Sequence, residues 1–340
     1  MRGPVPCLTS WLILSHYVPY RILLCVLALC FFFVARAFAQ EPTCLHRTLP
    51  LSVEDAEGHP LQRLTPVDFQ AKIREGPVRI LSIVPDDRPH RIVILLDASE
   101  SMATKWGRVL APASALAESR LPDTELALLI FGSKIYEQVG FSEGQKTIAE
   151  RLRHLGTDTK DVEKMVHGRT ALYDALLAGL QLLGTPTSAD ILYLVSHGGD
   201  NASRAQFDEV SRRLTSSNVR LFVSLVGGDL GEITGVGYRS PTPEEAKGPR
   251  DMRGLVRKTG GKMIVPFTSR LHVQPNEMER ISAALSIFHH NMIHSYRMEV
   301  ELPVPLAKER NWELKAADQN RERWKDATII YPEKLEPCKP

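Results

Sequence analysis

The sequence predicts a doubly wound α/β domain with a mostly parallel sheet flanked by helices, joined to a small β unit built from both ends of the chain. Three observations carry this. Near-continuous apolar runs stand at RIVILLD (91–97), ELALLIF (125–131), ILYLVS (191–196) and VRLFVSLVG (219–227), the pattern of strands covered on both faces. Helix-patterned stretches separate them, so strand and helix alternate. On either side, over 40–88 and 296–340, apolar and polar residues alternate in short runs instead. With 340 residues, 43% hydrophobic and 24% charged, the chain has ample material for a core and no composition that argues for disorder.

Taken in order, residues 1–39 read as a secretory signal peptide. ILLCVLALCFFFV (22–34) follows Arg21 and precedes ARAFAQ, which places a cut before Gln40. An uncleaved anchor is the alternative, but the run falls short of the roughly 20 residues that span a bilayer, so no stable span is expected after cleavage. The stretch before Arg21 is long for such a signal, consistent with translation starting later, near Val18. The leader carries three of the 42 basic residues and none of the 40 acidic ones, which leaves the rest close to neutral and gives no reason to expect nucleic acid as a partner. It also carries Cys7, Cys25 and Cys30, so Cys44 and Cys338 remain. In an exported chain these two are expected to pair and tie the ends together; two free surface thiols are the alternative.

Residues 40–88 form the first β segment, with turns at Asp55, Gly58 and Pro60 and a linker at Pro85, Asp86, Asp87 and Pro89. The α/β domain then runs over 89–295. Helices are expected over 107–119, 171–183, 205–214, 251–259 and 276–294, the last presenting Met278, Ile281, Leu285 and Phe288 on one side. His289, His290 and His294 in that helix read as solvated surface, since the Glu of a zinc-binding H-E-x-x-H is absent. The segment 296–340 returns to alternation and is expected to pair with 40–88. GGDLGEITGVGYRSPTPEEAKGPRD (227–251) is long and rich in Gly and Pro for a connection. It is either a disordered insertion or a partner-binding loop with Tyr238 and Arg239 as anchors.

In parallel α/β sheets ligands bind beyond the carboxyl ends of the strands. Asp97, Ser99 and Ser101 sit at such an end in DASES. One carboxylate and two hydroxyls offer hard oxygen donors suited to Mg²⁺, Mn²⁺ or Ca²⁺; a plain strand-end turn with a capping serine fits the same residues. A hydrolytic triad of Asp97, Ser99 and His197 is the remote reading. DASES lacks the glycines of G-x-S-x-G, and the acid would lie beside the nucleophile rather than orient the base.

Other strand ends sharpen this. HGRTALYDAL (167–176) puts Thr170 before a helix, and ILYLVSHGGDN (191–201) ends a strand in a polar, glycine-rich turn. With these residues the chain resembles the von Willebrand factor type A family, whose metal-ion-dependent adhesion site combines D-x-S-x-S, a later Thr and an Asp after the fourth strand. Asp97, Ser99, Ser101 and Thr170 match that pattern. VEDAEGHPLQRLTPVDFQ and TIIYP further resemble the flanks of a bacterial exported subfamily, labelled VWFA-related, of acidobacterial type.

The resemblance implies a Mg²⁺ (or Mn²⁺ or Ca²⁺) held by Asp97, Ser99, Ser101 and Thr170, and a non-enzymatic, exported adhesion module that captures a protein partner through its carboxylate. The expected location is periplasm, cell envelope or medium. One position departs: His197 stands where the family carries its Asp, removing a negative charge that a hard cation needs. Asp200 either substitutes for it or only caps a neighbouring turn. The competing expectation is a metal-free scaffold that binds partners through loops or the β flank.

Overall fold

The computed structural model describes residues 44–227, 243–267 and 275–337. The expected leader (1–39), Tyr238, Arg239 and Cys338 all lie outside the described residues. Residues 45–340 cluster as one compact unit. Among the described residues no helix is long and apolar enough to cross a membrane.

Strands β1 (His46–Glu54), β2 (Phe69–Ile73), β3 (Gly76–Pro77) and β4 (Arg79–Pro85) come first. The central sheet follows, built from β5 (His90–Asp97), β6 (Thr124–Phe131), β7 (Ile135–Val139), β8 (Ile191–Ser196), β9 (Arg220–Leu225) and β10 (Met263–Ile264). Its order is β10-β9-β8-β5-β6-β7, parallel throughout except for the antiparallel edge strand β7. Helices α1 (Trp106–Glu118), α2 (Gly144–Thr157), α3 (Thr159–Met165), α4 (Leu172–Leu183), α5 (Phe207–Ser217), α6 (Pro243–Thr259) and α7 (Pro275–Ile293) connect the strands.

Side-chain alternation along β5 shows why the run is apolar without a break. Ile92, Ile94 and Leu96 point into one core with Val109, Leu116, Leu152 and Phe288 from α1, α2 and α7. Val93 and Leu95 point into the opposite core with Leu172, Leu176, Val210 and Met252 from α4, α5 and α6. Both faces exclude water, so neither tolerates a polar position. Asp97 is the first residue at which the strand emerges into polar surroundings.

Several features differ from the sequence-based expectation. Helices α2 and α3 and edge strand β7 were not expected. β7 is short and half exposed, and α2 carries only Ile148, Leu152 and Leu155 on its buried side. Helix α6 begins at Pro243, eight residues before its expected start, so the last part of the proposed loop is helical. Met278 is 51% exposed, whereas Ile281, Leu285 and Phe288 are buried as expected. His289 is buried rather than solvated: its Nε2 lies 3.1 Å from the Tyr193 hydroxyl, itself 2.7 Å from Ser224 Oγ.

Strands β11 (Tyr296–Glu301), β12 (Arg310–Ala316), β13 (Thr328–Ile330) and β14 (Lys334–Leu335) end the described chain. They interleave with the first strands as two antiparallel sheets, β13-β1-β11-β4 and β14-β12-β2-β3. Leu49 pairs with Met298, and Ile73 with Trp312. The two sheets share a core of Leu51, Val53, Phe69, Met298, Val300, Trp312 and Leu314.

Buried polar groups fasten this β unit to the α/β layers. Glu54, 2% exposed, accepts from Asn291 Nδ2 at 2.8 Å and pairs with Lys262. Within the α/β layers themselves, fully buried Arg220 on β9 donates through Nη2 to the Met292 carbonyl at 2.7 Å near the C-terminus of α7, while its Nε and Nη1 have no hydrogen-bond partner. Desolvation pushes that guanidinium down to about 10.

Candidate functional site

The C-terminal ends of β5, β6 and β8 converge with the loop before α4, and backbone hydrogen bonds knit the loops together. Glu100 N donates to Gly168 O (2.9 Å), His167 N to Ala98 O (3.1 Å), Ala171 N to Gly132 O (2.7 Å) and Asn201 N to Thr170 O (2.9 Å). Asp97, Ser99 and Thr170 are buried at the bottom of this rim, and Ser101 is exposed at its lip.

The Asp97 carboxylate has a donor on each side. Oδ1 accepts from the Ser99 amide at 3.0 Å. Oδ2 accepts from Ser196 Oγ at 2.6 Å and faces His197 Nδ1 at 3.0 Å. A carboxylate offers about four lone-pair positions, so three are occupied from within the chain. The Ser99 and Ser101 hydroxyls lie 2.9 Å apart and bond to each other.

His197 is therefore held by Asp97. In either the neutral form protonated at Nδ1 or the imidazolium form it donates to this buried carboxylate. A Cβ on Gly199 would overlap the imidazole at Nε2, so the second glycine of HGGD leaves the ring its place. Gly198 takes φ 84°, and its backbone touches Gly248 on α6. A side chain at either glycine would push the turn off the helix.

The structure corrects one premise about the triad. Asp97 does orient His197 as well as lying beside Ser99. The nucleophile half is nonetheless missing: the bonds to the Ser99 hydroxyl and amide run to Ser101 and Asp97, and none joins it to His197.

Asp200 is engaged elsewhere. Its Oδ1 accepts from the Tyr173 amide at 3.2 Å, in the first turn of α4, and from Ser203 Oγ. This is the capping geometry that satisfies an open helix N-terminus. Asn201 performs a parallel task, its Oδ1 accepting from Thr170 N at 2.8 Å. Sequence reading missed Ser196 and Asn201. Ser196 was legible as the residue immediately before His197 at a strand end; Asn201 stands out in the sequence only as the start of the sequon Asn201-Ala202-Ser203, which does not point to its bond with Thr170.

Residues 92–199 match the model of the von Willebrand factor type A domain. This segment is a von Willebrand factor type A domain. It holds β5 from Ile92 onward, β6, β7, β8 and the whole Asp97–His197 arrangement. A search of curated proteins finds no match. Solved structures similar to the chain include an aerotolerance-related membrane protein from Bacteroides fragilis, 15% identical with a TM-score of 0.40, covering 59% of this chain and 98% of that one. The conserved hypothetical protein BatB from Bacteroides thetaiotaomicron is 14% identical, with a TM-score of 0.39 and coverage of 59% and 98%. A von Willebrand factor type A protein from Catenulispora acidiphila is 11% identical, with a TM-score of 0.38 and coverage of 86% and 73%.

The type A domain of this chain thus keeps the D-x-S-x-S loop and the Thr of the family pattern and replaces its last carboxylate with an imidazole. A Mg²⁺ at the site would find Asp97 as its single carboxylate there, with three lone-pair positions committed to Ser99, Ser196 and His197. Hard cations need several oxygen ligands and gain affinity with ligand charge. The hydroxyls of Ser99, Ser101 and Thr170 supply oxygen donors in number, but on charge, with one carboxylate already engaged by internal donors, the set fits a divalent cation poorly.

Proposed function

We propose that this chain is an exported, non-enzymatic recognition protein whose type A domain engages a protein partner at the Asp97 rim without a resident cation. The observation that carries the reading is the 3.0 Å contact between His197 Nδ1 and Asp97 Oδ2. An imidazole N–H stands where the family pattern has a second carboxylate, and it compensates the buried charge that a metal would otherwise compensate. The partner presents a carboxylate to the exposed lip at Ser101. Tyr238 and Arg239 supply further contacts from the connection between β9 and α6.

A metal-dependent reading is the second, and it is favoured by the Ser99–Ser101 hydroxyl pair. Asp97, Ser99, Ser101 and Thr170 would hold the Mg²⁺, Mn²⁺ or Ca²⁺, which would supply a point charge for the partner's carboxylate. A hydrolase is the remote third, resting on the Asp97–His197 contact alone; an esterase screen with Ser99→Ala tests it.

Retention of cell-envelope proteins on the immobilised mature protein, with and without EDTA, tests the main reading. The same partner should be retained in both, and lost on the exposed-site variant Ser101→Trp. A partner released by EDTA and recovered with Mg²⁺ would transfer the conclusion to the metal-dependent reading.

A further inference from the structure

Around Asp97 the rim carries cations and a flat aromatic plate that the site itself does not use. Lys105 ends the turn after β5, Lys134 follows β6, and Arg169 precedes Thr170, so three separate loops each bring one positive charge to the same rim. Among the described residues none of the three pairs with a carboxylate. Arg169 donates to the Asn201 carbonyl, and Lys105 lies against Gly227, where a Cβ would overlap its Nζ. Among the described residues the acids nearby do not balance them. Asp97 and Asp200 are turned to internal donors, which leaves Glu100 as the exposed carboxylate of the DASES loop.

Beside these charges the Tyr136 and His167 rings stack with centroids 4.6 Å apart and planes 16° from parallel. The Tyr136 hydroxyl donates to the His167 carbonyl at 2.8 Å and accepts from the Ser133 amide at 3.1 Å. Gly132 makes room for it, since a Cβ there would overlap the hydroxyl. The plate is thus fixed before any partner arrives, and rigid aromatic area next to charge is what interface anchors are made of.

We propose that this rim is a docking surface for an acidic, aromatic-containing segment of a partner protein. Lys134, Arg169 and Lys105 meet its carboxylates, and the Tyr136–His167 plate meets its ring. The proposal rests on the metal-independent reading above and adds what the partner must carry. The chain beyond the leader is close to neutral, so a local excess of cations at one strand-end rim favours an anionic ligand by charge complementarity.

The test is fluorescence anisotropy in EDTA with a labelled hexapeptide of alternating Glu and Tyr, beside its Gln–Tyr counterpart. The Glu peptide should bind at least tenfold more tightly than the Gln peptide, and weaken as NaCl is raised. Lys134→Glu and Arg169→Glu should each weaken it several-fold, and His167→Ala should weaken both peptides, with melting curves unchanged because all three side chains are exposed. Equal affinity for the two peptides, indifference to the charge reversals, or displacement by equimolar inorganic phosphate would overturn the proposal. If the Glu peptide binds only with added Mg²⁺ and Asp97→Ala abolishes it, the metal-independent reading itself falls. Should the wild type take up no Mg²⁺ and also ignore the peptide, only the docking surface falls.

Discussion

His197 Nδ1 lies 3.0 Å from Asp97 Oδ2, a hundred residues away in sequence, and with Ser196 Oγ on the same oxygen ties together the ends of two neighbouring parallel strands. Asp97 is fully buried, so this contact and the one from Ser196 decide the cost of keeping its charge. Removing the imidazole without replacing it leaves a buried carboxylate short of a donor. His197→Ala should therefore lower stability by about 1–3 kcal/mol, read as a fall in melting temperature. An unchanged melt would mean that Ser196 and the Ser99 amide suffice.

A second prediction concerns acid. Burial pushes His289 down to about 3, against an ordinary unfolded value of about 6.5. Above pH 6.5 the group is neutral in both states and contributes no pH dependence. Below it the unfolded chain takes up a proton that the folded chain refuses, so stability is lost as pH falls from 6.5 towards 3. By pH 5 this single group costs about 2 kcal/mol. His289→Gln, which retains a donor for Tyr193, should flatten the loss of melting temperature between pH 6.5 and 5 relative to wild type. Parallel curves would show that His289 titrates normally.

The buried fastening at Glu54 should matter more than the surface pairs. Glu54→Ala leaves Asn291 Nδ2 without its carboxylate and Lys262 without its partner, which should cost about 2–4 kcal/mol. Lys72→Ala, which breaks the exposed pair with Glu313, should leave the denaturation midpoint almost unchanged. Chemical denaturation of the two variants side by side gives the comparison; similar losses would refute the ranking.

Cys44 and Cys338 stand 294 positions apart in sequence, and Cys338 lies outside the described residues. A bridge between them would close a loop of nearly 300 residues and contribute up to about 5 kcal/mol by restricting the unfolded state. Peptide mapping under non-reducing conditions should recover a Cys44–Cys338 peptide, and Cys44→Ser should melt well below the oxidised wild type. Two separate alkylated peptides would remove the bridge.

How much of this was readable in the sequence depended on burial. β5, β6, β8 and β9 were legible because both faces of each are dry, which forces a continuous apolar run. β7 and α3 were not, since an edge strand with one buried residue and a helix with none leave hardly any periodic trace. Asp97, Ser99, Ser101 and Thr170 stood out through a spacing pattern. That His197 turns onto Asp97, while Asp200 turns to α4, depends on the fold of the HGGD turn and on Gly248 packing against it, neither of which a linear pattern encodes.

Calorimetric titration with Mg²⁺ of the wild type beside His197→Asp tests most directly whether His197 stands in for a cation. If it does, the wild type gives no saturable heat up to millimolar Mg²⁺, and His197→Asp, which restores the missing carboxylate, gives a saturable signal. Saturable wild-type heat that disappears in Asp97→Ala would contradict it.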